Sequence, residues 1–315
     1  MRKLLCSFIL PFKMTGARLR RKKRPATPAS EKANAALQGK KILFIGNSYT
    51  MNGFAVQHHN STVLTQKARS HDHGFFYQLC KSNGMEVAVT NWCFGGHNVT
   101  HTFGGPCTAG KECSGEDHGS YLTDRYFDYV AIQCYKEEGY TEDLEAYLRP
   151  ITELFRKENP HVKFILLVPH MACERSYPWL QDLAAMQKAG FIICNWGQLV
   201  HDLCQGKVQI PGGTQTCTRS TFVVSVSEKD GHHENMLAGY LTALMVYSAI
   251  TGDSAVGQTY DFCNDPNIDR RFCLTVHRRM KYIYDPRTNF VDIFRSSADM
   301  QGLQQLTDQY IAKFN

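Results

Sequence analysis

Five short apolar runs, rich in β-branched and aromatic residues, recur along this chain with helix-length stretches between them. They are Lys40 to Gly46, Met85 to Cys93, Asp128 to Cys134, Lys163 to Val168 and Phe191 to Asn195. Runs this short and this uniformly apolar suit strands that are buried on both faces. Between them the spacing turns helical. Phe75, Phe76, Leu79 and Cys80 fall on one face within 74–81, and Leu144, Tyr147, Leu148, Ile151 and Phe155 fall on one face of a longer stretch. Strands alternating with helices in this rhythm predict βαβ units, and so an α/β fold with a parallel sheet covered on both faces. Further helices are expected over Trp179 to Lys188, Met236 to Thr251, Arg270 to Tyr284 and Asp299 to Phe314. Pro150 predicts a kink or split in the second helix. Residues 49–70 read as a surface loop, and residues 205–228 as irregular.

The chain has 315 residues, 43% apolar and 20% charged, which is the profile of a globular protein able to bury a sizeable core. Its formal charge of +6 is misleading. Residues 1–30 hold nine Lys and Arg and no acid, so the rest of the chain carries −3, which argues against a nucleic-acid partner. Residues 1–38 read as a disordered basic tail or an atypical targeting segment. The apolar stretch Leu4 to Leu10 is short for a signal peptide and lacks a small-residue cleavage site. No stretch is apolar for long enough to predict stable membrane insertion. A cytoplasmic location is the expectation, with secretion the other reading. Residues 39–255 form the main domain, and 256–315 a helical extension packed on it.

Twelve cysteines are many, yet no C-x-x-C pair exists to suggest zinc or thioredoxin-like chemistry. Cys107 with Cys113, and Cys263 with Cys273, frame short loops that would suit disulfides in an oxidising compartment. Cys80, Cys134 and Cys194 lie in apolar runs as small hydrophobes. His58, His59, His71 and His73 invite a metal hypothesis, but no H-x-x-x-H pattern on a helix supports it, and no metal is expected.

The ends of the runs carry the chemistry. The first stops on Gly46, Asn47 and Ser48; the second is followed by Gly95 and Gly96; Gln133 lies near the end of the third; Asp230 and His233 precede the helix at 236–251. In an open parallel sheet the carboxyl ends of the strands share one edge, and ligands bind there. A serine, a histidine and an acid brought to that edge meet the needs of nucleophilic catalysis: a base, a group to orient it, and donors for an oxyanion.

G-N-S at Gly46 to Ser48, D-G-H-H at Asp230 to His233 and the following A-G-Y-L-T-A-L resemble the SGNH, or GDSL-like, hydrolases over about residues 40–255. The resemblance implies a flavodoxin-like three-layer α/β/α sandwich and ester hydrolysis with no metal or cofactor. It makes Ser48 the nucleophile, His233 the base and Asp230 its orienting acid, with the Ser48 backbone N–H and Gly96 in the oxyanion hole. Asn47 stands where the family carries an acid, and the family's G-x-N-D asparagine is absent. Gln133 offers the same amide chemistry as a third oxyanion donor. The implied substrate is a small-molecule or carbohydrate ester, such as an O-acetyl sugar. Acyl transfer to a sugar hydroxyl and non-catalytic carbohydrate binding are the alternatives. Oligomeric state is not legible in the sequence.

Overall fold

All five apolar runs become strands of one sheet. In the computed structural model of the chain, residues 29–51, 74–93, 99, 122, 125–134, 143–224, 233–264 and 297–315 are described. The elements are α1 (Glu31–Leu37), β1 (Lys41–Gly46), α2 (Ser48–Met51), α3 (Phe75–Ser82), β2 (Ala88–Cys93), β3 (Tyr129–Gln133), α4 (Leu144–Glu158) and β4 (Lys163–Leu167). There follow α5 (His170–Glu174), α6 (Leu183–Lys188), β5 (Phe191–Cys194), α7 (Trp196–Cys204), α8 (Arg219–Phe222), β6 (Val223–Val224), β7 (His233–Glu234), α9 (Met236–Thr251) and α10 (Ser297–Phe314). β1 to β5 pair in parallel in the order β2-β1-β3-β4-β5, as the α/β reading expects. Strand order reverses at β1, which lies between β2 and β3. A doubly wound sheet of this order opens its ligand crevice at the carboxyl ends of the β1 and β3 strands.

Alternation along each strand divides the core into two layers. Ile42, Phe44, Ala131, Ile165 and Leu167 face one helical layer, while Leu43, Ile45, Val130, Ile132, Phe164 and Leu166 face the other. Phe44 meets Phe76 of α3 edge to face at 5.5 Å between ring centroids. On the second side α4 buries Leu144, Leu148, Ile151 and Phe155. Helix α9 is apolar around its whole circumference, because α3, α1, α7, α8, β5 and α10 all pack on it. Asn235 caps its start by accepting from the Leu237 and Ala238 N–H groups, and Gly252 ends it at φ 73°. α10 belongs to the same core: Gln304 Nε2 donates to the Tyr240 hydroxyl at 3.0 Å, and Leu303 and Leu306 are buried.

Several expectations change in detail. α4 continues through Pro150. Pro150 and Ala146 are both exposed, so the carbonyl left without a helical N–H partner faces water, while the buried face of the helix offsets the lost bond. Trp179 to Lys188 is two pieces, a 3-10 turn at Pro178–Asp182 and then α6. β2 begins only at Ala88, and Met85 is tied instead to the end of α3 through its N–H to the Cys80 carbonyl. Residues 31–37, assigned to the tail, are helix α1: Ser30 caps it and Ala33 and Leu37 are buried. Its short apolar face is masked in the sequence by the basic run before it. Residues 170–174 and 196–204 add α5 and α7, and 219–222 adds α8. The tail residues 1–28, most of the 49–70 loop, and the helix expected at 270–284 lie outside the described residues, as do Cys107, Cys113 and Cys273. Cys80, Cys134, Cys194 and Cys263 are buried. Among the described residues, no helix is long and apolar enough to cross a membrane.

Candidate active site

The β1 strand ends in a tight turn at the switch point. Asn47 is fully buried; its Oδ1 accepts from the Tyr49 N–H at 3.0 Å and its carbonyl from the Thr50 N–H at 3.2 Å. These bonds fold the chain at once into the single turn α2, whose first residue is Ser48. The neutral side chain of Asn47 therefore acts on the backbone of this turn. Tyr49 anchors the turn by donating its hydroxyl to Met171 Sδ at 2.9 Å.

Beside this turn lies the end of β3. Gln133 is 1% exposed. Its Oε1 accepts from the Thr50 hydroxyl at 3.1 Å and its Nε2 donates to the Cys134 carbonyl. The carbonyl fixes the orientation of the amide, since the flipped form would set two acceptors against each other. Gly46 lets the two strand ends approach: a Cβ there would lie 3.1 Å from Gln133 Cβ and 3.2 Å from Thr50 Oγ1. Thr50 thus bridges the Ser48 turn to Gln133, a link that nothing in the local sequence pattern announces.

The third side is β7. His233 and Glu234 pair antiparallel with Val224 and Val223, and β7 lies against α2. Asn235 fixes this strand. Besides capping α9, it donates Nδ2 to the Thr221 carbonyl at 2.8 Å and its N–H to the Phe222 carbonyl at 3.0 Å. An Asn immediately before an apolar helix is a readable N-cap signal, and it is the one by which this residue could have been found. Glu234 is 1% exposed, and burial holds its carboxyl well above the usual carboxylate range. Cys93, paired in register with Gly46, has its thiol pushed up by burial first and by the nearby Glu234 second.

The fold thus brings together α2, which begins at Ser48, β7, which begins at His233, and the amide of Gln133. The side chains of Ser48 and His233, and Gly95, Gly96 and Asp230 entirely, lie outside the described residues. So do His58, His59, His71 and His73; among the described residues no cluster of His, Cys, Asp or Glu could hold a metal ion. A shallow cleft lined by Lys40, Asp128 and Lys163 lies at the opposite edge, where the strands begin.

No protein-family profile and no curated protein matches the chain. Solved structures do. A putative SGNH hydrolase from Slackia heliotrinireducens is 14% identical, with 69% of this chain and 100% of that one covered and a TM-score of 0.39. A DUF4886 family protein from Bacteroides uniformis is 12% identical over 87% of this chain and 95% of that one, with a TM-score of 0.42. An acetyl xylan esterase from Geobacillus stearothermophilus is 14% identical over 68% and 96%, with a TM-score of 0.40. At these scores the likeness carries no activity to this chain.

Proposed function

We propose that the chain is a serine hydrolase of the SGNH type, cleaving a small acyl ester, with a carbohydrate O-acetyl group as the substrate class that the motif resemblance favours. The observation that carries the reading is the packing of the His233 strand against the Ser48 turn, at the switch point of the sheet. Ser48 attacks the ester carbonyl while His233, oriented by Asp230, takes the serine proton. The alcohol then leaves with that proton, and water activated by His233 cleaves the acyl-enzyme to acid and free Ser48. The N–H groups of Ser48 and Gly96 and the Gln133 amide receive the oxyanion; Gln133 spends one N–H on the Cys134 carbonyl and has a second to give.

The test is labelling with a fluorophosphonate probe and turnover of p-nitrophenyl acetate. Both are expected in the wild-type protein and lost in Ser48→Ala. Absence of labelling at neutral pH, or labelling that survives the substitution, removes the assignment.

A further inference from the structure

One buried acid beside the site has no part in that mechanism. Glu234 follows directly on His233, is 1% exposed, and among the described residues its Oε2 has no hydrogen-bond partner. It also lacks an ion pair among the described residues. The carboxyl is close enough to Cys93 to disfavour the thiolate, Cys93 pairs with Gly46 in register, and β7 itself rests on α2. The carboxyl is therefore buried near the end of β1, on the strand that packs against the turn beginning at Ser48.

We propose that Glu234 is a positioning residue for the hydrolytic site: its buried carboxyl keeps β7 seated against α2 and so holds His233 in register with Ser48. This rests on the esterase reading above. An unpaired carboxylate in an apolar interior is costly, and the cost is relieved when the element that carries it moves to admit water. β7 is the element that yields most easily at its His233 end, because it is two residues long, is paired among the described residues to β6 alone, and is tied down by Asn235 at its far end. Ionisation of Glu234 would therefore draw His233 away from Ser48, and burial, which raises the carboxyl, moves that event to higher pH than an ordinary glutamate would show.

Among the described residues, the ionisable groups on the elements around β7 leave Glu234 as the titrating member. β2 brings Cys93, whose thiol is pushed higher than any ordinary thiol. α2 brings Tyr49, whose hydroxyl is given to Met171, and β6 has no ionisable residue. The first ionisable group on α9, Tyr240, is engaged by Gln304, and His233 adjoins Glu234 in sequence.

The experiment is the pH profile of kcat for p-nitrophenyl acetate in the wild type, Glu234→Gln, Glu234→Met and Cys93→Ser. The expected wild-type profile is a bell; both Glu234 variants keep its acid limb and lack its alkaline limb, whatever their absolute rates, and Cys93→Ser keeps both limbs. A wild type with no alkaline limb, or a limb that persists in a folded Glu234 variant or disappears in Cys93→Ser, overturns the proposal while Ser48-dependent turnover leaves the esterase reading standing. If Ser48-dependent turnover and labelling are absent, both readings fall together. Two variants guard against one of them failing to fold.

Discussion

The buried carboxyl of Glu234 makes a prediction about stability that does not depend on catalysis. In the folded protein burial holds this group well above the usual carboxylate range, since it is 1% exposed and, among the described residues, its Oε2 meets no donor. In the unfolded chain it titrates near the ordinary glutamate value of about 4.3. Above that value the folded state holds a proton that the unfolded state has lost, so folding stability must fall as pH rises, until the folded-state group itself ionises. The slope is at most about 1.4 kcal/mol per pH unit. Glu234→Gln keeps the side chain's size and carries no such proton. Its stability relative to wild type should therefore climb by up to about 2.7 kcal/mol over the first two pH units above the unfolded value. The new amide's unmet hydrogen bonds add a constant offset of about 1–3 kcal/mol, which does not change with pH. Urea unfolding of both proteins at a series of pH values separates the two effects, since other ionisable groups cancel in the difference. A gap between the proteins that is flat with pH would falsify the claim that folding raises this carboxyl.

Other substitutions probe the site and its support. Gln133→Ala should lower kcat by about 100-fold or more if the amide is an oxyanion donor, with KM little changed, as steady-state kinetics on p-nitrophenyl acetate would read. Gly46→Ala sets a Cβ 3.1 Å from Gln133 Cβ and 3.2 Å from Thr50 Oγ1, so it should depress turnover while the thermal midpoint falls only slightly; unchanged kinetics would refute the coupling of Gly46 to the site. Asn235→Ala removes the cap of α9 and the tie to the Thr221 carbonyl, and should cost about 2 kcal/mol in denaturant unfolding along with a loss of activity. Gly197→Ala drives a Cβ to 2.4 Å from the Pro169 carbonyl, where backbone cannot yield cheaply; a loss of about 3 kcal/mol is expected, and a stable variant would contradict the α5–α7 contact. On the acid side, activity should rise with pH as His233 loses its proton, and His233→Ala should abolish that limb together with turnover.

The sheet was legible because its strands are buried on both faces. Ile42 to Ile45, Tyr129 to Ile132 and Phe164 to Leu167 have no polar face to spare, so the short apolar run and the strand coincide almost residue for residue. The stop at Gly46 marked the edge where Ser48 would lie. Helices were less legible where they are short or polar in mean composition. α1 hides behind the basic run, and α5 and α7 have too few turns for a period to be recognised.

By itself, then, the sequence determined the class of the fold and the order of its strands and helices, since burial on both faces writes itself into composition. It also placed Ser48 just past a strand and His233 just before a helix. Tertiary structure alone decided which residues meet. The reversal of strand order at β1 brings Gln133 beside the Ser48 turn, with Thr50 as the link, and the packing of β7 on α2 brings His233 and Glu234 to the same place. No local pattern encodes such meetings, because the groups that make them are set by sheet order and by contacts between distant elements. The raised pKa of Glu234 has the same origin: a glutamate ionises readily in water, and only burial in the fold pushes its carboxyl up.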